Sequence, residues 1–505
     1  METNWMALKS GSDVRGTAAG EGIVLTEEVA RRLGKAFAEQ LAVWKGKPVT
    51  QISISLGRDS RITGSALMAA AAEGISSAGA TACRYDMCTT PAMYMSTITP
   101  GFEPDGAIMI TASHHPWNKN GLKFFTRHGG LEGKQVAELL SMAEKDEPSC
   151  NDVPGNVVDQ AFLPVYMQQL ADRIRSGLQT KEDKPLTGLH VVVDAGNGAG
   201  GFYAKLMESL GADTTGSQFL DPDGMFPNHI PNPENREAMN SLGSAVTKTG
   251  ADLGVIFDAD CDRAAVVDSD GREINRNRLI ALISAILLSQ KKGITVVTDS
   301  VTSSGLKQFI EERGGIHYRF RRGYRNVIDE AIRLNQEGMS CPLAIETSGH
   351  AALQENHFLD DGMYLVTVLI VKAMQMKAEG KSLGSLIADL REPVESAEIR
   401  MNITESDFRS CGQKAIDQVT AWAESHTEWH IAPDNREGIR ISFDLNGKKD
   451  AGWFLLRMSV HDPVLPLNLE SDTEGGVRRM AGKLYEVLKD LKGINMDELR
   501  KAATA

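Results

Sequence analysis

Six short apolar runs, each ending at a polar or glycine-rich turn, constrain the fold of this chain more than any other feature. They are Ile52–Leu56 before GRDSRITG, Ala107–Ile110 before TASHHP, Val191–Val193 before DAGNGAGG, Leu253–Phe257 before DADCDR, Val296–Val297 before TDSVTSSG and Leu343–Ile345 before ETSGH. Runs this short that stop at turn residues read as buried strands. Helical periodicity follows several of them, at Ala66–Ala78, Phe202–Leu210 and Leu365–Met376. Alternating strands and helices predict α/β layers whose sheets are mostly parallel, with ligands at the carboxyl ends of the strands. The polar loops all occupy that position.

At 505 residues the chain is too long for one hydrophobic core, and domains of roughly 100–200 residues predict about three to five of them. The polar stretch Glu144–Gly155 (EKDEPSCNDVPG) reads as a linker, followed by a helix over Phe162–Ile174. Further breaks are expected at Asp268–Arg272, after a strand over Ala264–Val267, and at Arg391–Pro393. Beyond that point the pattern becomes α+β: a helix over Gly412–Glu424, strands over Gly438–Phe443, Trp453–Val460 and Leu465–Glu470, then a C-terminal helix. The expectation is three similar mixed α/β domains around a central cleft, at residues 1–152, 153–270 and 271–391, plus a C-terminal α+β domain at 392–505.

Composition narrows the function classes. Apolar residues make up 42% and charged residues 24%, as in ordinary globular proteins. The net charge of −13, without a Lys/Arg block, argues against nucleic acid or an anionic membrane as partner. Six scattered cysteines (Cys83, Cys88, Cys150, Cys261, Cys341, Cys411) form no C-x-x-C pair, so neither a zinc site nor a disulfide framework is expected. METNWMALKSGSDVRG has no apolar signal core, and the apolar stretches around Leu279–Leu288 and Met363–Val371 fall short of a membrane span. A soluble, cytoplasmic protein is expected.

Several loops carry chemistry. In DADCDR, Asp258, Asp260 and Asp262 stand at alternate positions directly after a strand. Like charges so close raise one another's pKa unless a cation compensates, and an extended loop lets such carboxylates converge on a hard ion such as Mg²⁺. A solvated acidic turn is the plainer reading. An EF-hand is excluded, because Arg263 stands where glycine is required and Ser269 where glutamate is. In AIMITASHHPWNKNGLKFF, Ser113 is a nucleophile or the cap of a surface turn.

GNGAGG (Gly196–Gly201), with Asp221 beyond it, matches a dinucleotide fingerprint in form but equally describes a tight strand-to-helix turn. ETSGH (Glu346–His350) offers a carboxylate, a hydroxyl and an imidazole suited to vicinal sugar hydroxyls. RFRRGYR (Arg319–Arg325) and the strand-like FLLRMSVHDP (Phe454–Pro463) are the candidate anion-binding segments. No G-x-S-x-G elbow is present, which leaves a serine hydrolase without support.

TASHHPWNKNGLKFF, DADCDR and ETSGH, in that order on successive α/β domains, resemble the phosphoserine, metal and sugar loops of the α-D-phosphohexomutase superfamily, the phosphoglucomutases and phosphomannomutases. SDVRG (Ser12–Gly16), GRDSR (Gly57–Arg61), DAGNGAGG and DDGMY (Asp360–Tyr364) extend the resemblance over nearly the whole chain, with DAGNGAGG as a structural turn.

The resemblance implies an isomerase that interconverts hexose 1-phosphate and hexose 6-phosphate, of glucose or mannose, through a bisphosphorylated intermediate. It implies that Ser113 carries the phosphoryl group, that one Mg²⁺ is held by Asp258, Asp260, Asp262 and the phosphoserine, and that a hexose 1,6-bisphosphate activates the enzyme. Arg15, Arg263 and Lys123 would supply positive charge, with Lys123 or a neighbour assisting proton transfer, and His114 would brace the serine loop. Glu346, Ser348 and His350 would bind the sugar, and Arg322, Tyr324, Arg457, Ser459 and His461 its remaining groups, with the fourth domain closing as a lid. A monomer or homodimer acting on a small sugar phosphate is implied.

Three departures from the family pattern stand out. Ala259 and Cys261 replace the usual glycines of the metal loop. Gly323-Tyr324 stands where many relatives have glycine-histidine. The fourth-domain loop reads Arg457-Met458-Ser459-Val460-His461-Asp462-Pro463, with Asp462 adding negative charge near an expected phosphate position. A phosphoglucosamine mutase, a sugar-phosphate-binding regulatory homologue with weak mutase activity, and more distantly a dinucleotide oxidoreductase are the alternatives.

Overall fold

The structure, a computed structural model, describes residues 4–146, 153–445, 447–459 and 462–504. The chain divides into two compact units, Met1–Asn275 with Ser348–Ser385, and Arg276–Thr347 with Leu386–Ala505.

The first unit holds two mixed sheets. In the larger one, Val157–Asp159, Thr81–Met87, Ser53–Arg58 and Gly106–Ile110 run parallel in that spatial order. Lys119–Thr126, Asp13–Thr17 and Lys9–Ser10 follow in antiparallel pairing. In the second sheet Val191–Asp194 runs parallel to Leu253–Phe257, and Ala264–Asp268 and Glu273–Ile274 then reverse direction. The expected predominance of parallel strands therefore stops where the reactive loops sit. Both TASHHP and DADCDR join a strand to its own antiparallel neighbour. A hairpin loop of this kind leaves its tip anchored by a strand on each side, which positions side chains tightly.

The elements form for local reasons. The helix Glu27–Lys45 starts where the Thr26 hydroxyl accepts from the Val29 N–H and ends at Gly46 in the left-handed region. Its buried face, Val29, Leu33, Phe37 and Leu41, joins the core beneath the first sheet with Ile54, Leu56, Ile108 and Phe124. The helix Gly362–Ala378 is capped by Asp361 and returns to the first unit. Tyr166 donates to Asp361 there at 2.8 Å, and Tyr203 and Thr367 hydroxyls lie 2.9 Å apart.

In the second unit Ile316–Arg319, Thr295–Thr298 and Leu343–Ile345 are parallel, with Thr295–Thr298 in the middle. The remaining sheet is antiparallel throughout: Glu395–Asn402, Val464–Ser471, Lys448–Leu456, Ile439–Leu445 and Trp429–Ile431 in spatial order. Helices Phe408–Glu424 and Gly476–Leu488 complete this α+β layer and share its core. The strand expected to reach Val460 ends at Leu456, so Arg457–Ser459 belong to a loop, and Val460 and His461 lie outside the described residues.

Arg61 shows how the loop at Ser113 is held. It is 1% exposed, pairs with Asp59 at 3.2 Å, and donates to the carbonyls of Ser113, His115, Pro116 and Lys119 at 2.5, 2.6, 2.8 and 2.8 Å. Four carbonyls turned toward one buried guanidinium define the loop's curvature. Arg61→Ala strips all four of their donor and leaves Asp59 as an unpaired buried charge. We expect a loss of about 3–5 kcal/mol in denaturant unfolding, and a loss near zero contradicts the assignment.

Candidate active site

Ser113 sits at the tip of its hairpin with φ +51°, a left-handed conformation uncommon for serine. The Thr111 hydroxyl accepts from the Ser113 N–H at 2.8 Å and itself donates to Asp59 at 2.7 Å, which fixes that turn. The Ser113 Oγ–H donates to Asp258 Oδ2 at 2.7 Å, and Arg263 Nη2 donates to Ser113 Oγ at 3.0 Å. Arg263 also donates to His114 Nδ1. Because a guanidinium only donates, that nitrogen is the acceptor. Burial, then Arg263, hold His114 far below the usual imidazole range, so the ring is neutral.

The three carboxylates of DADCDR converge, with one oxygen from each within 4.8 Å of the others, and all are buried. Burial, then Asp262 and Asp260, push Asp258 well above the usual carboxylate range. Burial acts the same way on Asp262, but Lys123, His350 and Arg263 outweigh it and hold that carboxyl low. Lys123 Nζ bridges Asp260 Oδ2 at 2.9 Å and Asp262 Oδ2 at 2.5 Å. Burial alone would lower Lys123, yet Asp260 and Asp262 raise it well above its ordinary value, so it is held as an ammonium. Lys123 therefore contributes positive charge to the cluster.

Strand register explains why these cations meet the carboxylates. Arg15 is the partner of Gly121 across two antiparallel strands, and Lys123 lies two residues further along the same face. Arg15 pairs with Asp13 at 2.8 Å; burial opposes its charge, and Asp13 with Asp260 and Asp262 restores it. Of the departures in the metal loop, Cys261 takes φ +66°, the geometry for which glycine is the usual choice. Ala259 is buried against the preceding motif: its carbonyl accepts from the Ala199 N–H at 2.8 Å.

The donor set suits a hard divalent cation. Asp260 Oδ1 and Asp262 Oδ1 are buried without hydrogen-bond partners among the described residues. An orphaned carboxylate oxygen is costly unless something positive meets it. Three aspartates supply oxygen ligands of the kind Mg²⁺ prefers.

His350 lies close to Asp262, is joined to the metal loop by a backbone bridge to Arg263, and pairs with Asp360. Burial works against its charge, but Asp360 and Asp262 raise it to about 9, making it an imidazolium at neutral pH. Ser348, also in the first unit, is buried.

The other candidates belong to the second unit. Glu346 accepts from the Gly323 N–H at 2.6 Å, and Gly323 takes φ +120° to open the helix that begins at Tyr324. Arg322 donates its N–H to Glu437 at 3.1 Å, and its Nε lies 4.0 Å from Asp299. Glu437 also accepts from the Ser300 hydroxyl. Arg457 is buried, its Nε without a partner among the described residues; burial lowers its pKa, and Glu437 acts to raise it. The Ser459 hydroxyl accepts from the Asp462 N–H at 3.3 Å. Arg319, by contrast, is spent on structure, paired with Asp434 at 2.8 Å.

GNGAGG is filled by protein. A Cβ on Gly198 would stand 2.7 Å from Ala259 Cα, and one on Gly201 would stand 1.9 Å from the Leu220 carbonyl oxygen. Asp194, at the end of the preceding strand, accepts from the Gly196 N–H at 2.8 Å and pairs with His229 at 3.0 Å. The glycines allow backbones to touch, as the turn reading expects, and leave no approach for a pyrophosphate.

Sequence reasoning did not single out Arg61, Thr111, Thr90 or Glu437 as site residues. Their partners lie up to 170 positions away, beyond any spacing rule. Only the position of Arg61 at a strand end in GRDSR hinted at a role.

Residues 7–148, 164–271 and 275–394 match, in turn, the alpha/beta/alpha domains I, II and III of the family described as phosphoglucomutase/phosphomannomutase. A phosphoglucomutase of Neisseria gonorrhoeae is 29% identical over 480 residues, covering 94% of this chain and 95% of the relative. A phosphomannomutase of Salmonella montevideo is 31% identical over 493 residues, covering 94% and 97%. The crystal structure of a phosphoglucomutase/phosphomannomutase family protein from Burkholderia thailandensis superposes with a TM-score of 0.79 at 26% identity, covering 97% of this chain and 98% of that one.

Burial and its two neighbours make the Asp258 carboxyl hold a proton more tightly than a free aspartate does, and a divalent cation taken up there would displace that proton, so Mg²⁺ affinity is expected to rise with pH. Calorimetric titration in buffers of different ionisation enthalpy should reveal protons released on Mg²⁺ binding. Identical apparent enthalpies in all buffers contradict the linkage.

Proposed function

The chain belongs to the phosphoglucomutase/phosphomannomutase family, and from that premise we propose that this isomerase interconverts hexose 1-phosphate and hexose 6-phosphate through a phosphoserine at Ser113. The observation that carries the proposal is the placement of Ser113 Oγ. It lies 2.7 Å from Asp258 and 3.0 Å from Arg263, beside three converging carboxylates.

In the proposed cycle the phosphoryl group rests on Ser113. When a sugar hydroxyl attacks, the bond from Ser113 Oγ to phosphorus breaks, the new phosphate ester forms on the sugar, and the hydroxyl's proton ends on Ser113 Oγ, which is restored as the free serine hydroxyl. The resulting hexose 1,6-bisphosphate turns over and returns its other phosphoryl group to Ser113. Catalysis of this kind rests on positioning and charge. Arg263 already donates to the leaving oxygen. Lys123 and Arg15 add positive charge around Asp260 and Asp262. His114, neutral and accepting from Arg263, keeps that guanidinium aimed.

Asp258, Asp260 and Asp262, with the phosphoserine, would hold one Mg²⁺. The ion would neutralise charge on the transferring phosphoryl group. Glu346, Ser348 and His350 are assigned to sugar hydroxyls, and Arg322, Tyr324, Arg457, Ser459 and His461 to the non-reacting phosphate end. His350, held as an imidazolium by Asp360, also suits a donor to an anionic oxygen. Glucose and mannose phosphates are the proposed substrates, hexose 1,6-bisphosphate the activator and the cytoplasm the compartment.

Coupled assays with glucose 1-phosphate, mannose 1-phosphate and glucosamine 1-phosphate, each primed with the matching 1,6-bisphosphate, separate the substrate readings. Turnover is expected with glucose or mannose. Preference for glucosamine would instead identify the phosphoglucosamine reading. Ser113→Ala should lower kcat by about a thousandfold or more, and activity near that of the parent protein would refute the assigned carrier.

A further inference from the structure

Thr90 opens a short helix, Thr90–Ser96, whose start is capped by the Thr89 hydroxyl accepting from the Ala92 N–H at 3.2 Å. Thr90 is 4% exposed and makes two bonds to one distant residue. Its N–H donates to the Asp260 carbonyl at 2.9 Å, and its hydroxyl lies 2.5 Å from Asp260 Oδ2. A carboxylate only accepts, so the hydroxyl is the donor. The same Oδ2 accepts from Lys123 at 2.9 Å, and Oδ1 is left buried without a partner among the described residues.

These contacts divide the labour within one carboxylate. Two donors from the first sheet's side of the unit commit Oδ2, while Oδ1 of the same carboxylate, in the cluster with Asp258 and Asp262, keeps no hydrogen-bond partner among the described residues. We propose that Thr90 is a positioning residue for the divalent cation, which orients Asp260 so that Oδ1 is the ligand oxygen. The inference rests on the cation reading of DADCDR given above. Groups that fix a ligating carboxylate from outside the coordination sphere typically change metal affinity when removed. The two contacts also separate cleanly by chemistry. The main-chain N–H docks the loop through the Asp260 carbonyl, and the hydroxyl bonds the carboxylate. A substitution that keeps the backbone and shape but removes the hydroxyl isolates the orienting function.

The test compares Thr90→Val, Thr90→Ser and Asp260→Asn with the parent full-length protein. Mn²⁺ binding is measured by electron paramagnetic resonance without any sugar phosphate, alongside Tm without metal. Thr90→Val should weaken Mn²⁺ binding by about 10–100-fold, with Tm close to the parent's, and Thr90→Ser should restore parental affinity. Parental affinity in Thr90→Val, with Asp260→Asn weakened, overturns the role given to Thr90. Equal weakening in Thr90→Val and Thr90→Ser also overturns it, since the hydroxyl would then not be the cause. Parental affinity in Asp260→Asn overturns instead the cation reading on which the inference rests.

Discussion

Three buried aspartates within a few ångströms of one another are the arrangement on which the rest of this protein depends. Left alone, Asp258, Asp260 and Asp262 would repel one another and drive up their own proton affinities, as Asp258 already does. Two cations bond the cluster directly. Arg263 binds Asp258 at 3.2 Å, and Lys123 spans Asp260 and Asp262. Even so, Asp260 Oδ1 and Asp262 Oδ1 have no hydrogen-bond partner among the described residues. Such buried and partly uncompensated charge suits a ligand of opposite sign, and the serine that would carry a phosphoryl group is bonded directly to the cluster.

The scaffold delivers this cluster through two hairpins rather than through strand-to-helix loops. Reversal of the chain after Gly106–Ile110 brings Lys123 back along the strand beside the loop that holds Ser113, and a second reversal after Leu253–Phe257 presents the aspartates. Arg61 sets the shape of the first tip from below. The contacts from Thr90, Ser113 and Lys123 to the second tip all lie inside one compact unit.

Much of this was legible in the sequence. Apolar runs ending at polar turns located the strands, and carboxylates at alternate positions marked the candidate cation loop, because residue type and local spacing carry that chemistry. The change from α/β to α+β beyond Arg391–Pro393 was equally plain from pattern. The direction of strand pairing was not. Ala264–Val267 is apolar and buried on both faces, so nothing in its composition separates a returning strand from a parallel one. Thr90 was silent, and the bonds of Arg61 to the Ser113 loop were not foreseen, because their partners are brought together only by tertiary folding. GNGAGG matched a dinucleotide pattern for a related reason: glycines that admit a ligand and glycines that admit a neighbouring backbone have the same sequence. Their neighbours, Ala259 and Leu220, tell the two apart.

The central claim is that Ser113 is the phosphoryl carrier in front of this cluster. It is tested most directly by intact-mass analysis and peptide mapping of the purified protein after incubation with glucose 1,6-bisphosphate and Mg²⁺. The account predicts a mass increase of about one phosphoryl group, mapped to the peptide that contains Ser113 and missing from Ser113→Ala. No increase, or a phosphoryl group mapped to another residue, would contradict it.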